Sequence, residues 1–156
     1  MKVAVLGHGT VGSGVCEILW NRNSEVSSAA GKTVELGYIL DIKDLGNVPY
    51  SDKIAKDFSA VLSDPEVGIV AECIGGLEPA YSYIKSALEN GKSAVTSNKE
   101  LVAEKGAELL SIARAHNVNF LFEASVGGGI PLIRPLYSSM NAAGITEMAG
   151  ILNGTT

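Results

Sequence analysis

The stretch Val3-Ala4-Val5-Leu6-Gly7-His8-Gly9-Thr10-Val11-Gly12 decides the fold. An apolar run ends in a G-x-G-x-x-G turn, and the following Val15-Cys16-Glu17-Ile18-Leu19-Trp20 repeats its apolar positions at helical spacing. Strand, glycine turn and helix in that order make a pyrophosphate cradle. Gly7 permits a tight turn, Gly9 removes a Cβ where backbone must approach a diphosphate, and Gly12 lets the helix pack closely on the strand. The helix N-terminus adds unpaired N–H groups and a positive dipole end. Glycine turns also serve other strand–helix junctions, so the legible strand and helix on either side carry the reading of dinucleotide binding.

Outward from this turn, apolar runs alternate with helical patterns, the mark of a parallel sheet with helices on both faces. Strands are predicted at 2–6, 34–40, 68–73, 93–96, 119–123 and 145–151. Asp57 to Leu62 reads as a short helix stopped by Asp64-Pro65, and 78–90 as a crossover helix with Tyr81, Ile84 and Leu88 on one face and Gly91 as a left-handed cap. A second crossover helix is predicted at 99–116, with Ser97 or Asn98 as N-cap, and a third at 131–143, opening on Pro131 and ending at Gly144. The expected fold is α/β, a doubly wound, mostly parallel Rossmann-type sheet, whose ligand cleft lies outside the carboxyl ends of the strands. Segments 7–12, 41–44, 73–76 and 96–99 should converge there.

The bulk properties bound what such a domain could serve. The 156 residues fit one domain, and a content of 46% hydrophobic and 19% charged residues suits a packed α/β core. A net charge of −5 with scattered lysines gives no cationic stripe for nucleic acid or anionic lipid. No apolar stretch approaches the roughly 20 residues of a membrane span, and Met1-Lys2 runs directly into a strand, so a cytoplasmic location is expected by default. Cys16 and Cys73 lack metal-ligand spacing and read as small buried apolar residues.

Several residues at the strand ends carry chemistry. After the second strand an acid would meet ribose hydroxyls and a cation a 2′-phosphate. Asp41 and Asp44 flank Lys43, so the spacing leaves NAD, NADP and a merely solvated charged turn all open. Cys73-Ile74-Gly75-Gly76 leaves the third strand where the nicotinamide half would lie, either bringing backbone close to ligand or simply making a turn. Thr96-Ser97-Asn98-Lys99 sets hydroxyls, an amide and an ammonium at a helix N-terminus, where the dipole repels a cation. An anion, or a carbonyl becoming an alkoxide, would account for Lys99. Glu123 closes the fifth strand ahead of Gly127-Gly128-Gly129; it is either a carboxylate satisfied by loop amides or part of a hard-oxygen cation site. His8 and His116 read as turn and helix-end residues without a catalytic partner.

Four ordered motifs give the chain a resemblance to the nucleotide-binding domain of homoserine dehydrogenases: Gly7-His8-Gly9-Thr10-Val11-Gly12-Ser13-Gly14-Val15, Thr96-Ser97-Asn98-Lys99, Glu123-Ala124-Ser125-Val126-Gly127-Gly128-Gly129-Ile130-Pro131 and Asn153-Gly154-Thr155-Thr156. The resemblance implies hydride transfer between L-homoserine and L-aspartate 4-semialdehyde with NAD or NADP, in threonine and methionine biosynthesis. It implies that Thr10 and Val11 touch the cofactor phosphates, with Gly7, Gly9, Gly12, Ile74 and Gly75 around the dinucleotide. Lys43 would meet a 2′-phosphate, which favours NADP, although the flanking aspartates depart from the simplest NADP pattern. Ser97 and Lys99 would border nicotinamide and substrate, Lys99 as the catalytic cation. Glu123 by its carboxylate, and Val126, Gly128 and Ile130 by their carbonyls, match a sodium site. Relatives continue past Asn-Gly-Thr-Thr into a substrate and dimerisation domain, so residues 1–156 are expected to be a dinucleotide-binding domain without that partner. Such a chain would bind cofactor with little turnover, while the full-length protein would be a homo-oligomer. The rival expectation is a stand-alone nucleotide-sensing module that uses the same cleft without chemistry.

Overall fold

The apolar runs become strands β1 (Lys2–Leu6), β2 (Glu35–Leu40), β3 (Val67–Glu72), β4 (Ser93–Thr96) and β5 (Phe120–Leu121). In the computed structural model, which describes residues 1–152 but not the side chains of 141–143, they form one five-stranded sheet in the order β2-β1-β3-β4-β5. Every pairing is parallel. The chain runs outward from β1 to β2, then returns to β1's other side as β3, so the order reverses between β1 and β3. That reversal is where an open α/β sheet leaves its ligand crevice.

Helices α1 (Thr10–Asn21), α2 (Asn23–Ala30), α3 (Phe58–Ser63), α4 (Ala80–Glu89), α5 (Lys99–Ala115) and α6 (Ile133–Ala143) complete the chain. Alternate strand residues feed two cores, one on each face. Val3, Val5 and Ile39 pack with Cys16 and Leu19 of α1, whereas Ala4, Leu6 and Val70 pack with Ile84 and Leu88 of α4 and Leu101 and Leu109 of α5. Leu6, Ile39, Ile84, Leu88, Leu101 and Leu109 are fully buried. Removing any one to alanine would cost about 2–5 kcal/mol by transfer plus cavity. The helices stop and start where the side chains dictate: Asp57 accepts the Ser59 and Ala60 amides as N-cap of α3, Asn98 accepts the Leu101 amide as N-cap of α5, and Gly91 takes φ +73 just past α4.

Four expectations need correction. Residues 145–151 form no strand; Ile151 is 92% exposed and the segment lies without a strand neighbour among the described residues, so its backbone has no ladder to join. β5 keeps only two residues of the expected 119–123, because the chain turns at Glu123–Ser125 into a 3-10 turn in which the Ser125 hydroxyl donates to the Phe122 carbonyl at 2.6 Å. α6 starts at Ile133 rather than at Pro131, with Leu132 in the N-cap position. Helix α2 was not expected: it buries no residue, so it carries no apolar stripe. The expectation of buried cysteines holds for Cys16, which is fully buried, while Cys73 is only half-buried. Burial pushes the Cys16 thiol up to about 12 and that of Cys73 up to about 11. No helix among the described residues is long and apolar enough to cross a membrane.

Candidate dinucleotide site

Each glycine of the opening turn answers to a different constraint. Gly7 sits at φ +88, and a Cβ there would lie 2.8 Å from the Cys73 carbonyl oxygen; at Gly12 a Cβ would lie 1.8 Å from the Gly7 carbonyl oxygen. These two are glycine because the chain packs against itself, α1 standing directly on the turn and on the end of β3. Gly9 differs. It is the N-cap of α1 at φ −78, ψ −160, a conformation open to any residue, and a Cβ on it would meet nothing within 4 Å. Nothing in the fold requires glycine at that position. The first turn of α1 has no side-chain cap and no acidic residue, so its amides and the positive dipole end face the crevice.

The four expected segments do converge, and hydrogen bonds join them. Gly7 N–H donates to the Leu40 carbonyl and Cys73 N–H to the Leu6 carbonyl, both at 2.7 Å, tying the ends of β1, β2 and β3. Asp41, just past β2, accepts the His8 N–H at 2.5 Å and the Lys43 N–H at 2.8 Å. Burial opposes ionisation of Asp41, but the amides of His8, Lys43 and Ile42 and the Lys43 charge outweigh it and hold its pKa below the ordinary value. His8 has a partner the sequence reading did not find: its Nε2 lies 3.0 Å from the Tyr50 hydroxyl.

A cleft of about 530 Å³ opens between these ends, walled by Gly7, Asp41, Ile42, Ile74, Tyr83 and Lys56 among others. Its aliphatic and aromatic walls with few polar groups suit a flat heteroaromatic ring. Ile74 lines the same cleft as Asp41. Lys56 shares this cleft with the acid, whereas the exposed Lys43 stands on the turn above it. Sequence reasoning missed Lys56 because no strand–turn pattern places it. Gly75 and Gly76 are at φ +80 and +72 with open space around a Cβ, so left-handed turn geometry accounts for both.

Across the switch point, Glu72 ends β3 fully buried. One of its carboxyl oxygens accepts the Ile74 and Gly75 N–H groups at 2.7 and 3.2 Å, and the other accepts the Thr96 hydroxyl of β4. Thr96 in turn accepts the Asn98 N–H at 2.9 Å. The Asn98 side chain donates to the Gly76 carbonyl at 2.6 Å while capping α5. Ser97 and the exposed Lys99 thus open α5 directly beside the 74–76 turn. Glu72 was missed although one signal was present: a lone acid at the end of an otherwise apolar strand, VGIVAE.

Glu123 follows β5 and is half-buried. One of its oxygens accepts the Leu132 and Ile133 N–H groups at 2.5 and 2.8 Å and the other the Arg134 N–H at 3.0 Å, so it caps α6 from ten residues away. Burial raises its pKa, but these three amides and the Arg134 charge prevail and hold it below the ordinary value. Gly127 and Gly128 adopt φ +70 and +59, which turns the loop between Glu123 and α6 back on itself. A carboxylate has about four lone-pair directions, and among the described residues three are taken by these amides.

A parallel sheet that reverses at β1 and β3, with a glycine turn opening a helix at the reversal, defines a dinucleotide-binding α/β domain. The sequence model of the homoserine dehydrogenase NAD-binding domain matches residues 7–123. The homoserine dehydrogenase of Synechocystis sp. is 42% identical over 160 residues, covering all of this chain and 36% of that protein. Among solved structures, a homoserine dehydrogenase from Thiobacillus denitrificans superposes with a TM-score of 0.78 at 36% identity, over 91% of this chain and 33% of that one. A hyperthermophilic archaeal homoserine dehydrogenase in complex with NADPH superposes with a TM-score of 0.71 at 25% identity, over 86% and 47%. The chain belongs to the homoserine dehydrogenase family, as its NAD(P)-binding domain. It spans about a third of the length of the curated relatives it matches.

Proposed function

We propose that this domain holds NADP(H), in preference to NAD(H), across the β1/β3 crevice, for hydride exchange between L-homoserine and L-aspartate 4-semialdehyde in the complete enzyme. Gly9 carries the reading. It is a glycine that the fold does not need, at the open end of an uncapped helix, and a diphosphate resting on the amides of Thr10 and Val11 accounts for it. The adenosine end would enter the cleft of Asp41, Ile42 and Ile74, with Lys43 positioned to meet a 2′-phosphate. The archaeal relative in complex with NADPH makes the phosphorylated cofactor the natural first candidate.

The nicotinamide, when bound, supplies or accepts the hydride. The residues of this chain then position and polarise: Ser97 borders the ring, and Lys99 holds positive charge where oxygen of the substrate gains negative charge, stabilising or protonating it. Lys99 stands at the start of α5, where the helix dipole by itself favours anions over cations. Glu123, with the carbonyls of Val126, Gly128 and Ile130, would hold a sodium ion beside the same region.

Calorimetric titration of the 156-residue chain with NADP+ and NAD+ tests the reading. Tighter binding of NADP+, weakened by Lys43→Ala, is expected. Tighter NAD+ binding that Lys43→Ala leaves unchanged would overturn the cofactor assignment.

A further inference from the structure

Glu72 has no place in the proposed contacts, yet it is a fully buried carboxyl group at the crevice floor. A carboxyl group excluded from water needs a full set of partners, and an apolar residue at the end of β3 would serve the core as well. What the carboxyl does that an apolar side chain cannot is bind two separate turns at once. One oxygen holds the Ile74 and Gly75 amides, and the other holds Thr96, whose own oxygen receives the Asn98 N–H. Asn98 then closes the circuit on the Gly76 carbonyl. The 74–76 turn and the Lys99-bearing start of α5 are thereby locked in one register, each through a separate carboxyl oxygen.

The geometry points to Glu72 as a positioning residue that sets the spacing between the 74–76 turn and the start of α5, and so orients the nicotinamide end of a cofactor bound between them. This rests on the cofactor reading above. Glu72→Gln keeps both branches, because the amide oxygen still receives Ile74 and Gly75 and the amide N–H donates to the second lone pair of the Thr96 oxygen. Thr96→Val and Thr96→Ala cut the Thr96 branch without altering the carboxyl, and Thr96→Ser restores it.

The test compares the affinity of the chain for NADPH with that for adenosine 2′,5′-bisphosphate, which lacks the nicotinamide half. Thr96→Val and Thr96→Ala are expected to weaken NADPH roughly tenfold, the worth of one buried hydrogen bond, with adenosine 2′,5′-bisphosphate unchanged and Thr96→Ser and Glu72→Gln like wild type. Should Thr96→Val not fold, Thr96→Ala decides. Equal weakening of both ligands, or of neither, overturns the positioning role. Wild-type chain that binds neither ligand overturns the cofactor reading beneath it.

Discussion

Asp41 accepts the His8 backbone N–H at 2.5 Å, so the acid at the end of β2 braces the glycine turn before it meets any ribose. Its other oxygen accepts the Lys43 N–H, which places cation and acid on one short turn. Asp41→Ala should therefore weaken NAD+ and NADP+ alike by about tenfold, the loss of charge-assisted hydrogen bonds. Lys43→Ala should weaken NADP+ alone. Titration of both variants with both cofactors checks this, and a selective loss of NAD+ in Asp41→Ala would contradict the bracing role.

Gly9 and Gly12 should separate binding from folding. Gly9→Ala adds a methyl group in open space and is expected to change stability by less than about 0.5 kcal/mol, while lowering dinucleotide affinity about tenfold or more. Gly12→Ala drives a methyl group into the Gly7 carbonyl and should cost about 3 kcal/mol or more. Urea melts and titrations on the two variants give the comparison; a fully stable Gly12→Ala would refute the packing account.

The cap on α6 should be acid-sensitive. The pKa of Glu123 in the folded chain lies below the ordinary 4.5, so its contribution is complete above that value and is lost as pH falls through the lower folded one. The protection of the Leu132 and Ile133 amides against exchange should fall over that window, and Glu123→Ala should lack it already at neutral pH. A sodium ion on the same carboxyl would add slower exchange and a higher melting temperature in sodium than in tetramethylammonium chloride. Identical behaviour in both salts would remove the ion.

Lys99 should matter to chemistry more than to affinity. In a complete homoserine dehydrogenase carrying this domain, Lys99→Met is expected to reduce kcat about 100-fold, with a much smaller change in the cofactor Kd. The 156-residue chain alone should show little turnover, since hydride transfer needs the substrate held in near-attack geometry. Ordinary dehydrogenase rates from the isolated chain would refute that expectation.

The glycine turn, the β1–β4 strands and the α4 and α5 crossovers were legible because burial imposes a period on apolar residues, two in a strand and 3.6 in a helix. Where burial imposes none, reading failed. Helix α2 has no buried residue, and 145–151 has a strand-like composition without a strand neighbour among the described residues. Thr10, Ser97 and Lys99 could be placed at the crevice from their position after a strand, since parallel strands all end on one side of the sheet.

The sequence by itself determined the succession of β1 to β5 with α1 and the α4 and α5 crossovers, the side of the sheet on which a ligand would sit and the family motifs, all of which are local patterns. Only the tertiary structure decided which glycines the fold requires and which it does not, because that depends on atoms 66 residues apart, such as Gly7 and Cys73. It also decided what two strand-end acids do. Glu72, excluded from water, joins two turns, and the half-buried Glu123 caps a distant helix, roles that depend on which amides and hydroxyls the fold brings to each oxygen.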